Sequence, residues 1–267
     1  MLRDLPGAAI RTQLTLPLRF ADGFATTARI FTFDGLADGR EHIALGLGDR
    51  SVAVTRVPHT GAPPLVRLHS ECLTGDLLGS LRCDCGPQLT ETVKRIAVAG
   101  GFLLYLRQEG RGIGLYAKLD AYTLQDAGLD TYDANIALGY RADERDYTVA
   151  AQMIQALGVK QVALLGNNPD KAAQLGRLGV TVTERVPTGV HINVANARYL
   201  ATKARRGAHT LELPKGAPQT EPLVDGATDH QRCPDPLALP EHDEPTHRDV
   251  RVDDLWVDGR EVWNSPA

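Results

Sequence analysis

The sequence predicts a mixed α/β fold, with mostly antiparallel strands at the N-terminus joined to an alternating strand-helix body in one compact domain. Three observations carry that expectation. Before residue 68 apolar residues recur at every second position, with turn residues between the runs. After residue 85 helical spacing alternates with short continuous apolar runs. Of the 267 residues, 43% are hydrophobic, enough to bury a core of that size.

Taken in order, QLTLPLRF, TARIFTF, HIALGLG, SVAVTRV and PLVRLH read as strands from Thr12 to about Leu68. Asp-Gly, Gly-Asp and Pro-Pro pairs punctuate them, and together they predict an antiparallel sheet that serves as scaffold. A helix follows: Pro87 suits its first position, Leu89, Val93 and Ile96 share a face, and Gly100 with Gly101 ends it. FLLYLR is then a buried strand. Helices over 115–127 and 148–157 stop at Gly128 and Gly158. VALLG is a strand, Pro169 opens a short helix, and VTVTERV is a strand again. A last helix over 196–206 carries Lys203, Arg205 and Arg206 in its final turn, where cations suit the helix dipole.

Beyond residue 213 the composition changes. Residues 214–267 hold 12 Asp/Glu and 5 Lys/Arg, a charge of −7, so the first 213 residues carry 24 Lys/Arg and 21 Asp/Glu, or +3, against −4 overall. The division expected is a domain over 1–213, an acidic proline-rich linker over 214–249, and a C-terminal segment over 250–267 whose LWVDGREVW predicts a docking hairpin. A mildly basic body suits an anionic small substrate. Without a dense basic stripe, and with 5% aromatic residues, no nucleic-acid partner is expected. Charges and prolines interrupt the first twenty residues and no later stretch is long and apolar enough to span a bilayer, so a cytoplasmic protein without membrane association is expected.

The chemistry concentrates in RLHSECLTGDLLGSLRCDCGPQ, residues 67–88, which holds Cys72, Cys83 and Cys85, three of the four cysteines. One residue between Cys83 and Cys85 disfavours a disulfide and suits a grip on one soft cation. Three patterns remain open on spacing alone: buried core cysteines, a closed structural zinc completed by His69 or Cys233, and an open zinc with a position left for water. Other positions are equally two-sided. QEGRGIG, residues 108–114, is a tight glycine-rich connection or a phosphate cradle at a helix start. Tyr122, on the face of Leu115 and Leu119, reads as a core tyrosine. ADERDY, with Asp143 and Arg145, reads as a solvated capping segment, and Lys171 as a surface lysine able to meet phosphate.

RLHSECLTGD, LRCDCGPQL, LRQEGRGIGLYAKLDAY and GYRADERDY, followed by LLGNNPDK and RVPTGV, resemble the GTP cyclohydrolase II family. These are zinc enzymes that open the imidazole ring of GTP at the entry to riboflavin synthesis, and the resemblance runs in order over about 66–209. It implies that Cys72, Cys83 and Cys85 hold zinc, whose water attacks C8 before the formyl carbon leaves as formate. It also implies a nucleotide wall of Arg67, Leu68, His69, Ser70 and Glu71, and further GTP contacts from Glu109, Gly110, Arg111 and Thr131; beside them the amide of Gln88 can read the guanine edge or face the metal, and Lys171 can meet a phosphate as a point charge. Gly166 departs from the pattern, since the family usually has threonine there, so either a backbone group substitutes or substrate affinity differs. By resemblance Tyr122 positions water, Asp143 accepts a proton, and Arg145 attacks the α-phosphorus to expel pyrophosphate. A guanidinium keeps its proton to a pH above about 12, so a phosphate clamp is the other chemical role open to Arg145. Mg²⁺ on the substrate phosphates, a homodimer, and the product 2,5-diamino-6-(5-phosphoribosylamino)pyrimidin-4(3H)-one complete what the family implies. Two rival readings remain. His69-Ser70-Glu71 matches the H-x-E of zinc deaminases, although their P-C-x-x-C is replaced here by Cys83-x-Cys85. The other rival is a non-catalytic guanine-nucleotide-binding protein with structural zinc.

Overall fold

The computed structural model describes residues 7–51, 61–197 and 199–200. Among these, seven strands form one sheet: β1 (Ala9–Arg19), β2 (Ala25–Asp34), β3 (Ile43–Leu47), β4 (Leu65–Ser70), β5 (Gly101–Leu106), β6 (Gln161–Leu165) and β7 (Thr181–Val186). Their spatial order is β1-β2-β3-β5-β4-β6-β7. From β1 to β5 neighbours run antiparallel, and from β5 to β7 they run parallel. The β1–β2 hairpin is long, pairing Ala9 with Asp34 at one end and Arg19 with Ala25 at the other.

Six helices lie wholly within the described residues: α1 (Leu73–Asp76), α2 (Cys85–Ala99), α3 (Leu115–Asp126), α4 (Thr131–Ala137), α5 (Thr148–Ala156) and α6 (Pro169–Arg177). Side chains alternate across the strands, so each face of the sheet has its own core. Val93 and Ile96 of α2 pack with Leu45, Leu47, Leu103 and Leu165 on one face. On the other, Val149, Met153 and Ile154 of α5 and Leu175 of α6 pack with Phe31, Val66, Leu68, Phe102 and Leu104. Each such fully buried aliphatic or aromatic side chain contributes about 1.5–3 kcal/mol by leaving water. At the seam between β4 and β5, a Cβ on Gly101 would stand 1.9 Å from the Leu65 carbonyl oxygen, so only glycine lets the two strands start side by side.

This topology places the site. The connections β4-α1-α2-β5 and β6-α6-β7 are parallel crossovers, and the long route from β5 through α3, α4 and α5 returns to β6 on the other side of β4. The loops leaving the carboxyl ends of β4, β5 and β6 therefore diverge around a crevice, where open α/β sheets bind ligands.

Several sequence expectations need correction. PLVRLH is not part of an antiparallel N-terminal sheet: β4 lies inside the sheet, parallel to β5 and β6. Helix α2 begins at Cys85, so Pro87 is its third residue, still within the first turn where its missing N–H costs nothing. The short helices α1 and α4 were not expected; α4 is capped by Asp130, whose carboxylate accepts from the amides of Tyr132 and Asp133. Most of SVAVTRV, most of the helix over 196–206 with its three cations, Cys233, the linker and the hairpin segment lie outside the described residues. Among the described residues, no helix is long and apolar enough to cross a membrane.

Candidate active site

The end of β4 delivers the first cysteine and the start of α2 the last. Cys72 immediately precedes α1, Cys85 opens α2, and Cys83 lies two residues before it. The three sulfurs lie within 4.8 Å of one another, with Cys72 Sγ 3.7 Å from Cys83 Sγ. Gly75 permits this closeness. A Cβ there would stand 2.6 Å from Cys83 Sγ, 3.0 Å from Cys85 Cβ and 3.2 Å from Cys72 Sγ. A carboxylate fixes the first cysteine: Asp76 accepts from the Cys72 amide at 3.0 Å, from Tyr105 Oη at 2.9 Å and meets His69 Nε2 at 3.1 Å. Hydrogen bonding from Cys83 and Cys85 drives the Cys72 thiol far below its ordinary pKa. The Cys83 thiol is pushed up to about 11 by its bond to Cys72 and by burial, and Cys85 is raised for the same reasons. Three crowded thiols sharing one negative charge form a donor set that can hold one soft metal ion.

A second group closes over the thiols. The Lys118 ammonium, on α3, lies 2.8 Å from Glu109 Oε1, 3.0 Å from Thr74 Oγ1 and 3.2 Å from Cys72 Sγ. Burial opposes its charge, yet the Glu109 bond and the Cys72 charge hold its pKa above the usual lysine value. Glu109 also accepts from the Leu73 amide at 2.7 Å and the Gly110 amide at 3.0 Å, so three of about four acceptor sites are used within the protein. Tyr122 Oη lies 3.5 Å from Thr74 Oγ1, the Arg82 guanidinium covers the Tyr122 ring at 4.6 Å, and burial raises the phenol pKa.

The glycine-rich connection does not open α3 directly. It forms a 3-10 turn over Glu109–Gly112 in which Gly110 (φ 60°, ψ 36°) and Arg111 (φ 60°, ψ 30°) are both left-handed. Arg111 is the one non-glycine residue with positive φ among the described residues. Its guanidinium lies 4.2 Å over the Tyr132 ring and 3.9 Å from Asp143. Arg145 grips Asp143 in a fork, with Nε 2.8 Å from Oδ1 and Nη2 on Oδ2. Burial raises the Asp143 pKa less than the Arg145 bond and charge lower it, so its carboxyl titrates below its ordinary value. Arg67 donates to Gln88 Oε1 at 2.8 Å and to the Leu165 carbonyl at 3.3 Å.

Two hollows of about 700 and 660 Å³ result, and they share Ser70, Cys85, Arg111, Arg145 and Tyr199. Glu71, Cys72, Cys83, Glu109, Gly110, Tyr122 and Thr131 border the first; Arg67, His69, Gln88 and Lys171 border the second. Three expected contacts fall outside both linings. The Leu68 side chain is in the core, and only its carbonyl turns to the site, accepting from Lys171 Nζ at 2.6 Å. Asp143 meets the site through its bonds to Arg145, which lines both hollows. Gly166 touches the site through Arg67: a Cβ there would lie 2.9 Å from Nη1, so the space of a side chain is taken by the guanidinium. Lys171 is buried against that carbonyl rather than on the surface. Tyr122 does not share a buried face with Leu119, which is 42% exposed while Lys118 is buried.

Sequence reasoning missed Lys118, Asp76, Arg82 and Asn167. The first two had a signal: Lys118 is four residues before Tyr122 on the same helix, and Asp76 four after Cys72.

Known proteins place the chain in a family. Residues 11–187 match the family described as GTP cyclohydrolase II. A Vibrio cholerae serotype O1 protein named GTP cyclohydrolase-2 is 51% identical over 186 residues, covering 70% of this chain and 90% of that one. An Azotobacter vinelandii protein of the same name is 51% identical over 195 residues, covering 72% and 90%. The Bacillus subtilis riboflavin biosynthesis protein RibBA is 48% identical over 202 residues, which are 75% of this chain and 48% of that protein. On the matched span and on the identity with these relatives, the chain belongs to the GTP cyclohydrolase II family.

Proposed function

We propose that the cleft binds GTP with its purine beside the three thiols and its triphosphate among the cations, opens the imidazole ring, and releases formate and pyrophosphate. The product is then 2,5-diamino-6-(5-phosphoribosylamino)pyrimidin-4(3H)-one, at the entry to riboflavin synthesis. One observation carries the reading: a three-sulfur donor set and the cations Arg67, Arg111, Arg145 and Lys171 line adjoining hollows with a common wall.

Cys72, Cys83 and Cys85 would hold zinc, which three thiolates favour, leaving a coordination position open. When bound, that ion supplies Lewis-acid activation of water for attack on C8. Tyr122, its pKa raised by burial, keeps its hydroxyl proton and orients water at the rim of the thiol cluster. Gln88 and the remaining acceptor site of Glu109 face donors on the guanine edge, with Ser70, Glu71 and Thr131 completing the wall. Arg145 meets the α-phosphate. Its guanidinium stays protonated and Asp143 holds its fork in place, so it acts first as an electrostatic clamp on the transferring phosphoryl group. Arg111 and Lys171 take the outer phosphates, whose oxygens bind Mg²⁺ together with water. A homodimer is part of the same reading, checked by light scattering of the full chain.

The test is incubation of the full-length protein with GTP and Mg²⁺, measuring formate and pyrophosphate together. Equal amounts of both are expected. Ammonia without formate would turn the reading towards a deaminase, and nucleotide binding without turnover towards a binding protein.

A further inference from the structure

Lys118 has no place in the scheme above, yet its head group sits against the thiol cluster. A lysine ammonium has three N–H donors, and here each has an acceptor: Glu109 Oε1, Thr74 Oγ1 and Cys72 Sγ, at 2.8, 3.0 and 3.2 Å. The acceptors come from two segments, the turn after β5 and the start of α1 with the residue before it, so the ammonium has one orientation. Neutralising Glu109 would account for burying the charge, but it does not account for aiming a donor at sulfur. The backbone is shaped for the same approach. A Cβ on Gly110 would lie 2.9 Å from Lys118 Cβ, at a residue whose φ of 60° already favours glycine.

We propose that Lys118 is a positioning residue for the metal centre. Its ammonium hydrogen-bonds the Cys72 thiolate and draws electron density from that sulfur. It thereby offsets the excess negative charge that three thiolates place around a divalent ion. The inference rests on the metal-centre reading above. Outer groups of this kind tune both the hold on a metal and its acidity. An electron-rich trithiolate set weakens the pull of the ion on a fourth ligand, and a cation on one sulfur restores it.

The test uses the full chain freed of metal and loaded with Co²⁺ alone, reading the thiolate-to-cobalt charge-transfer absorption. Lys118→Met is expected to move that band to longer wavelength, because the sulfur gives up electrons more easily. Lys118→Arg, which keeps charge and donors, should return the band towards that of the parent. Should Lys118→Met fail to fold, Lys118→Gln fills the same slot without charge and carries the comparison. A folded Met or Gln variant with the parent band overturns the role of Lys118 and leaves the metal centre standing. A parent protein without thiolate-to-cobalt absorption overturns the metal centre and this inference with it.

Discussion

Gly75→Ala adds one methyl group at the most crowded point of the thiol cluster. Its carbon would stand 2.6 Å from Cys83 Sγ and 3.2 Å from Cys72 Sγ, where nonbonded contacts settle near about 3.5–4.0 Å. The Cys83 sulfur must therefore retreat by about 1 Å, and the donor triangle opens. Space on the other side is short as well, because a Cβ on Gly86 would stand 2.4 Å from the Gly75 carbonyl oxygen, so α1 and α2 already touch through their backbones. Overpacking of this kind costs about 1–3 kcal/mol. Gly75 has no positive φ, and alanine recovers up to about 1 kcal/mol of helix propensity, so metal-free stability should fall by less than the full overpacking cost. The strain falls on coordination: 1–3 kcal/mol corresponds to about 5- to 150-fold weaker metal binding. Chelator competition with zinc, alongside thermal melts of both metal-free proteins, separates the two effects. A variant that binds zinc as tightly as the parent would refute the argument that Gly75 sets the sulfur spacing.

Arg145→Lys keeps the charge and loses the fork that Asp143 and a phosphate can both grip, so pyrophosphate release should fall on the order of a hundredfold. Near-normal release would argue against both the clamp and the nucleophile role. Asp76→Asn leaves one of three donors, the Cys72 amide, His69 or Tyr105, without a carboxylate oxygen. Urea unfolding should register a loss of about 1–3 kcal/mol, and an unchanged midpoint and slope would count against the network. Metal uptake should strengthen as pH rises. Cys83, pushed up to about 11 by Cys72, and Cys85, also raised, hold their protons at neutral pH, whereas Cys72 has lost its own. A metal must displace about two protons, so its affinity should rise about a hundredfold per pH unit between pH 6 and 8. Zinc titrations at three pH values check this, and a flat profile would contradict the shared-charge picture.

The strands were legible because alternation survives in the text wherever one face of a sheet meets a core, as in TARIFTF. Their direction was not: LVRLH reads the same whether its neighbour runs with it or against it, and only the tertiary crossover through α2 makes β4 parallel. The four residues of α1 and seven of α4 are too short to show a period. The cysteines announced the site, since soft donors at such spacing have few other uses. Lys118 stayed hidden because an apolar period assumes that the inward face of a helix meets oil. Helix α3 instead turns its inward face to a polar cleft, and so exposes Leu119 and buries a lysine.

The doubled left-handed turn at Gly110 and Arg111 has an evolutionary cost. An arginine backbone in that basin sits about 1–2 kcal/mol above its relaxed state, retained by the stack on Tyr132 and by the Glu144 amide donating to its carbonyl at 2.9 Å. Glycine at 111 would release the tension and toughen the chain against heat while removing the side chain that faces the cleft. Selection for thermal endurance alone would thus strip an arginine from the cleft wall, and a durable variant that keeps it must find its gains elsewhere.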